Sequence, residues 1–153
     1  MHPQMATITE DELRWLADQL EIRNLVARLA QLADTGDLSD YARCFAADAV
    51  WVPPADAGVA GVGGAQAGID DIVAGAQSRR DLGIQGPESN TRHVVSVTTL
   101  QRVDASHALG RTYWRYYVHT NAQPQLLTMG HYDDRFIRGP AGWLLARRET
   151  TRG

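Results

Sequence analysis

The spacing of apolar residues changes once along the chain, near residue 90, and this change constrains the fold more than any other feature. Before residue 90, apolar side chains recur at steps of three and four, as on one face of a helix. After it, four segments alternate in polarity as strands do, with turn-forming residues between them: 91–103, 108–120, 125–138 and 142–150. Helices followed by strands predict an α+β domain with an antiparallel sheet, because a parallel α/β fold would alternate the two kinds of element.

Three helices are predicted in the first half. Thr9 and Glu12 have the spacing of a capping box, so the first helix is expected to begin there and to end at the turn sequence of residues 34–37. A second, short helix follows, and a third covers residues 69–80, with Arg79 in its last turn. The apolar face of the first helix is expected to carry Leu13, Leu16, Leu20, Ile22, Leu25, Val26, Leu29, Leu32 and Ala33, and that of the second Leu38, Tyr41 and Phe45.

A short strand and a glycine-rich loop lie between the second and third helices. Residues 49–52 form an apolar run closed by two prolines, which predicts a strand. Residues 55–68 contain a run of glycines that could suggest a phosphate-binding loop. Gln66, however, stands where a dinucleotide-binding fingerprint needs glycine, and no lysine follows the glycines. We therefore predict that this segment forms a flexible flap. We expect one domain over residues 8–150, preceded by a loose tail over residues 1–7.

Composition excludes several classes of function. All fifteen cationic side chains are arginine, which excludes Schiff-base chemistry, attachment of pyridoxal phosphate and the phosphate-binding lysine of a P-loop. The formal net charge of −3 gives no attraction for nucleic acid. Cys44 is the only thiol, so no intramolecular disulfide forms, and its neighbours Tyr41 and Phe45 indicate a buried helical cysteine. No apolar stretch approaches the ~20 residues of a membrane span and no signal sequence is evident, so a cytoplasmic protein without a membrane anchor is expected.

His93 and Asp34 are the first candidates for a functional site. The alternation of its strand predicts that His93 faces the core or a pocket, although a core histidine bonded to a backbone carbonyl would show the same spacing. Asp34 ends the apolar face of the first helix, where the helix dipole disfavours a carboxylate, so it either begins the turn or has a functional role. Strict alternation places Val95, Val97 and Val103 with His93, and Arg92, Ser96, Thr98 and Arg102 on the opposite face.

Aromatic and acidic side chains of the later strands add further candidates. Trp114 shares a strand face with Tyr116, and Tyr116 and Tyr132 are candidates for a phenol that donates to a substrate oxygen. Asp133 and Asp134 are adjacent, so one faces inward and one outward, and a bulge would reverse the choice. The five histidines form neither a His-x-His nor a His-Glu-x-x-His pair, so no metal site is expected.

Several short motifs occur in an order and spacing typical of one family. They lie at residues 21–25, 34–37, 45–49, 68–69, 91–93, 130–136 and 142–148. Together they resemble the SnoaL-like branch of the nuclear transport factor 2-like superfamily. The resemblance implies a cone-shaped α+β barrel, in which three N-terminal helices pack on a strongly curved, mostly antiparallel sheet around a pocket.

In dehydratases and a dehydrochlorinase of this family, an aspartate and a histidine at the positions of Asp34 and His93 form a pair. The resemblance therefore implies a cofactor-free, dehydratase-like lyase or isomerase, whose dyad removes a proton from a small apolar cyclic or polyketide-like substrate. The tyrosine that those dehydratases carry near the dyad is absent, since Leu29 and Ala33 stand at its positions. The acid role would pass to Tyr116, Tyr132, His131 or a water.

Three other functions stay open: a non-catalytic ligand-binding or assembly subunit, a polyketide cyclase, and an epoxide hydrolase, in which Arg115 and Asp133 would hold a water. The expected ligand is a small hydrophobic molecule, and a homo-oligomer, dimer or trimer, is expected through a sheet face rich in Tyr113, Tyr117 and arginine. The predicted catalytic residues are Asp34, His93, Tyr116, Tyr132 and Asp133, and the predicted substrate-binding residues are Leu29, Trp51, Trp114, His131 and Arg147.

Overall fold

Three helices pack against one six-stranded sheet in the part of the chain that the structure, a computed structural model, describes: residues 7–55 and 64–153. The helices are α1 (Glu10–Thr35), α2 (Leu38–Ala42) and α3 (Ile69–Asp81). The strands are β1 (Phe45–Val52), β2 (Gln66–Ala67), β3 (Arg92–Arg102), β4 (His107–Val118), β5 (Gln125–Gly139) and β6 (Gly142–Arg152). Most of the predicted tail and much of the predicted flap, residues 1–6 and 56–63, lie outside the described residues.

The first helix begins at the predicted capping box. The hydroxyl of Thr9 accepts a hydrogen bond from the backbone N–H of Glu12 at 3.2 Å, and the Glu12 carboxylate accepts one from the backbone N–H of Thr9 at 2.7 Å. Buried side chains on the inner face of α1 include Ile22, Leu25, Val26 and Leu29. The prediction that Leu13, Leu16 and Leu20 belong to this face was wrong, because at 3.6 residues per turn they lie roughly 120 to 180° away from Ile22 and are at least half exposed.

The second helix is shorter than predicted, and Phe45 is not part of it. α2 ends at Ala42, the backbone N–H of Cys44 closes the turn onto the carbonyl of Tyr41, and Phe45 begins β1 opposite Leu145 of β6. The Tyr41 and Phe45 rings still meet edge to face, 4.9 Å apart, so their contact survives the end of the helix. Cys44 is buried, as predicted, although it lies beyond the helix.

The sheet has the strand order β2-β1-β6-β5-β4-β3. β3, β4, β5 and β6 form an antiparallel meander, and the two-residue strand β2, which was not predicted, pairs antiparallel with β1. β1 runs parallel to β6, so Val50 lies opposite Arg147. The α+β fold class is therefore confirmed, with one parallel pairing that local sequence patterns did not predict. No helix within the described ranges is long and apolar enough to cross a membrane.

A register shift in β3 changes which of its residues face the core. The pairing with β4 shifts between Ser96 and Thr98, so the alternation that places His93 inward does not continue to the end of the strand. After the shift, the Thr98 hydroxyl bonds that of the buried Thr112 at 3.0 Å, and Leu100 packs against the core. The predicted outward position of Thr98 and inward position of Val103 were therefore wrong, and Val103 is 56% exposed.

A buried acid joins α1 to the last hairpin. Asp18 accepts hydrogen bonds from Arg138 Nη2 at 2.6 Å and from the indole Nε1 of Trp143 at 3.0 Å. Asp18 is 7% exposed and Trp143 is 4% exposed, so these bonds form largely out of contact with water. They hold the helix against the β5–β6 hairpin at the end of the core away from residue 34.

Replacing Asp18 with alanine is expected to lower the free energy of unfolding by about 1–3 kcal/mol, because the buried indole N–H of Trp143 loses its acceptor. Asp11→Ala is the matched control. Asp11 also joins α1 to an arginine of the sheet, Arg102, but it is exposed. The free energy of unfolding of this variant should therefore stay close to that of the wild type. Urea unfolding of both variants measures the difference. Equal losses would contradict the importance of burial.

Candidate active site

A cavity of about 290 Å³ lies between the helices and the inner face of the sheet. All three helices and strands β1, β3, β4, β5 and β6 contribute side chains to its wall. Most of this wall is apolar or aromatic, which suits a small ring-containing ligand. Six of the ten predicted site residues line it: Leu29, Trp51, His93, Trp114, Tyr116 and Tyr132.

Asp34 and His93 form a hydrogen-bonded pair at the edge of this cavity. Oδ1 of Asp34 lies 2.7 Å from Nδ1 of His93, and Oδ2 accepts the backbone N–H of His93, also at 2.7 Å. Asp34 is 1% exposed, whereas the His93 side chain is 19% exposed and lines the cavity. The partner of Nδ1 is thus a buried carboxylate, and the alternative of a ring bonded to a backbone carbonyl does not describe this histidine.

The carboxylate also determines how the imidazole is oriented. An ionised carboxylate only accepts hydrogen bonds, so Nδ1 of His93 must be the donor in this pair. A neutral imidazole with its proton on Nδ1 keeps a lone pair on Nε2. Because His93 lines the cavity, that nitrogen is the one available to a ligand. The arrangement is the one that a general base requires.

The two predicted tyrosines, Tyr116 and Tyr132, both line the cavity but differ in the contacts they make. The hydroxyl of Tyr116 donates to the backbone carbonyl of Ile84, and its ring centre lies 4.9 Å from that of His93. Tyr132 stacks on Trp114, with ring centres 5.8 Å apart, and burial raises the pKa of Tyr132 to about 12. The Tyr132 hydroxyl is therefore protonated at neutral pH and able to donate a hydrogen bond.

A buried ion pair forms the wall next to Tyr132. The guanidinium of Arg148 donates two hydrogen bonds to the carboxylate of Asp134, at 2.8 and 2.7 Å, and lies 3.9 Å from the centre of the Tyr132 ring. Burial lowers the pKa of Arg148, but the Asp134 carboxylate outweighs this effect and holds that pKa above its ordinary value. Of the two adjacent acids, Asp134 is the one that faces inward.

Asp133, His131 and Arg147 lie on the opposite face of the sheet and do not line the cavity. Asp133 binds Arg111 across the β4–β5 pairing at 2.7 and 2.8 Å, and Nε2 of His131 is 3.6 Å from it. Arg147 binds Glu149 at 2.8 Å. The placement of these three residues in the predicted site was wrong, because alternation along β5 and β6 turns them away from their inward neighbours Tyr132, Asp134 and Arg148.

The same outer face carries the predicted oligomer contact. Tyr113 is 56% exposed there, together with other large apolar side chains such as Leu109 and Met129. An exposed apolar surface of this kind is compatible with association between copies. The dimer or trimer therefore stays a prediction.

Several polar residues of the cavity wall, Arg79 and Gln85 among them, were not identified as site residues from the sequence. Arg79 was assigned to the last turn of the third helix, but its guanidinium lies 4.2 Å from the centre of the Trp51 ring and only 6% of the residue is exposed. Its Nε donates to Oε1 of Gln85 at 3.2 Å. Gln85 belongs to the loop after α3, which showed no periodicity, so no local pattern indicated this contact.

Comparison with known proteins gives the family of the domain. The family described as the SnoaL-like domain matches residues 14–149. No curated protein matches the chain significantly. A solved NTF2-like protein with a cystatin-like fold from Novosphingobium aromaticivorans is 25% identical to the chain, with a TM-score of 0.78. The alignment covers 97% of this chain and 92% of the Novosphingobium protein.

Two further solved structures share the fold at lower identity. A protein from Novosphingobium aromaticivorans, provisionally named a scytalone dehydratase, is 17% identical, with a TM-score of 0.70 and coverage of 92% of this chain and 87% of its own. ActVI-ORFA from Streptomyces coelicolor is 23% identical, with a TM-score of 0.69 and coverage of 88% and 96%. At these identities the two structures support the fold alone.

The geometry of the pair predicts a single tautomer for neutral His93, with the proton on Nδ1, because Asp34 offers only acceptors. Long-range ¹H–¹⁵N correlation spectra of the labelled protein measure the protonation of each ring nitrogen. In Asp34→Ala the carboxylate is gone, and a mixture of both tautomers is expected. A wild-type spectrum with the proton on Nε2 would contradict the orientation described above.

Proposed function

The chain belongs to the SnoaL-like domain family, and we propose that it is a cofactor-free lyase or isomerase in which His93 removes a proton from a small cyclic or polyketide-like substrate. One observation carries this proposal: a buried carboxylate fixes the imidazole of His93 at the wall of an aromatic cavity. A histidine that only stabilised the core would need neither a buried acid as its partner nor a place in the wall of a cavity. Both features are those of an oriented general base.

The chemical step begins at Nε2 of His93. This nitrogen takes a proton from a carbon next to a substrate carbonyl, and the electron pair of the broken C–H bond forms an enolate. The carboxylate of Asp34 stabilises the imidazolium that results. In an elimination, the enolate electrons form a C=C bond and expel hydroxide, which takes the proton back from the imidazolium and leaves as water. In an isomerisation, the same proton returns to a different carbon.

Tyr132 is the side chain that we assign to the substrate oxygen. It lines the cavity, and its raised pKa keeps its hydroxyl protonated, so it can donate to a carbonyl or an enolate. Tyr116 is a weaker candidate, because its hydroxyl already donates to the carbonyl of Ile84. One of the two solved relatives from Novosphingobium aromaticivorans is provisionally named a scytalone dehydratase, and this name accords with an elimination of water.

A binding function without catalysis is the second candidate. Leu29 and Ala33 both line the cavity, so its wall is apolar at the two positions where the resemblance leads one to expect a phenol. A pocket of this shape with no efficient acid would bind a ligand without converting it. The epoxide hydrolase alternative lacks such support, because Asp133 binds Arg111 on the opposite face of the sheet and cannot hold a water in the cavity.

Proton abstraction can be tested without the natural substrate. The wild-type protein is expected to accelerate the exchange of α-protons of 2-tetralone and related cyclic ketones in D₂O, followed by NMR. His93→Gln should slow the catalysed exchange by roughly 10² to 10⁴-fold, the usual contribution of a general base, and Asp34→Asn by at least about tenfold. Both variants should keep a cooperative melting transition.

Arg111→Met serves as the control, because Arg111 lies on the opposite face and its removal changes the net charge without touching the cavity. Its exchange rate should equal that of the wild type. Exchange in His93→Gln at the wild-type rate, or wild-type exchange no faster than in buffer, would favour the binding function.

A further inference from the structure

Three buried side chains of the cavity wall carry N–H groups without a hydrogen-bond partner among the described residues. They are Nη1 of Arg79, Nε2 of Gln85 and Nε1 of Trp114. The three residues are 6%, 5% and 5% exposed, so water does not fully replace the missing acceptors. A buried donor without an acceptor destabilises a fold, so such a group at a cavity wall points to a ligand that supplies the acceptor.

The chemistry of Arg79 decides the orientation of the Gln85 amide. A guanidinium has only donors, so the Gln85 atom that faces Nε of Arg79 at 3.2 Å must be the amide oxygen. The amide nitrogen of Gln85 is then the group left without a partner. Arg79 and Gln85 both line the cavity and their unpaired groups are donors, so a ligand group that meets them has to be an acceptor.

The cavity wall carries cationic side chains. Its lining includes Arg79, Arg148 and Arg152 and, among the described residues, no aspartate or glutamate. Asp134 neutralises Arg148 from behind. Arg79 is different, because it forms no ion pair with a carboxylate of the described residues. The groups that interact electrostatically with its guanidinium are the phenols of Tyr41, which is also its hydrogen-bond partner, and Tyr132. A buried cation without a counter-ion is costly, and an anionic ligand would remove that cost.

We propose that Arg79 and Gln85 bind a carboxylate of the substrate, which is thus a cyclic or aromatic carboxylic acid. The inference rests on the proposed function in taking this cavity as the substrate site. A guanidinium and an amide side by side offer the donors that a carboxylate accepts, and Trp51 holds the guanidinium in place from one face. The aromatic walls formed by Trp114 and Tyr132 suit the flat apolar body of such a molecule.

A matched pair of probes tests the charge requirement. 2-Naphthoate and 2-acetylnaphthalene have nearly the same shape, and only the first is anionic at neutral pH. Isothermal titration calorimetry should show that the wild-type protein binds 2-naphthoate at least about tenfold more tightly than 2-acetylnaphthalene. Equal affinities, or no binding of 2-naphthoate, would overturn the proposal.

Variants assign the effect to the two residues. Arg79→Met should weaken 2-naphthoate binding by roughly 10 to 100-fold and change the binding of 2-acetylnaphthalene by less than about threefold. Gln85→Met should weaken 2-naphthoate binding by roughly threefold or more, and it provides the same test if Arg79→Met does not fold. Arg111→Met, with the same loss of charge on the opposite face, should bind both probes as the wild type does. Unchanged 2-naphthoate binding in Gln85→Met and in folded Arg79→Met would overturn the proposal.

The dyad variant separates this inference from the proposed function. His93→Gln should retain the preference for 2-naphthoate, because Arg79 and Gln85 do not depend on the imidazole for their contacts. If that preference is retained while the exchange of ketone protons is the same with and without His93, the carboxylate site stands and the catalytic proposal fails. If the exchange depends on His93 but 2-naphthoate is not preferred, the catalytic proposal stands and the carboxylate site fails.

Discussion

The pair formed by Asp34 and His93 is the interaction on which the arrangement of helix and sheet depends. Asp34 lies at the last turn of α1 and His93 near the start of β3, and the carboxylate binds both the ring and the backbone N–H of the histidine. The end of a helix is an unfavourable place for a buried carboxylate, so these donors are what allow it to be there. This contact therefore joins the C-terminal end of the helix to the sheet and orients the imidazole at the cavity wall.

The two buried acids next to the cavity, Asp34 and Asp134, have the same structural role. Asp34 lies behind His93 and Asp134 lies behind Arg148, so each carboxylate supports a side chain that itself forms the wall. A ligand therefore meets the imidazole of His93, hydrogen-bond donors and aromatic rings, while the carboxylates of Asp34 and Asp134 lie behind these side chains. Burying such a pair has a desolvation cost that its hydrogen bonds offset only in part. Buried charged pairs of this kind are therefore more common at functional sites than in ordinary cores. Arg79 differs, because no carboxylate of the described residues forms an ion pair with it.

Local patterns and a family resemblance were enough for the order of the elements, the capping box, α3 and the pairing of residue 34 with residue 93. They failed where a distant contact decides the outcome. The register shift after Ser96 depends on the pairing with β4, and the choice between Asp133 and Asp134 depends on which face of β5 meets the helices. The spacing of leucines in α1 is helical on both sides, so periodicity alone did not separate the buried side from the exposed one. Gln85 lies in an irregular loop, where alternation carries no information.

The insertion of β6 between β1 and β5 has a consequence for how the chain reaches its native state. β1 comes early in the sequence, yet its neighbour in the sheet is the strand from Gly142 to Arg152, so this pairing closes a loop of about a hundred residues. Such high contact order slows folding, because the entropy of closing this loop is lost before the pairing can stabilise the chain. Leu145 of the core and Arg148 of the cavity both belong to that strand, so a partly folded chain has neither a finished interior nor a binding pocket.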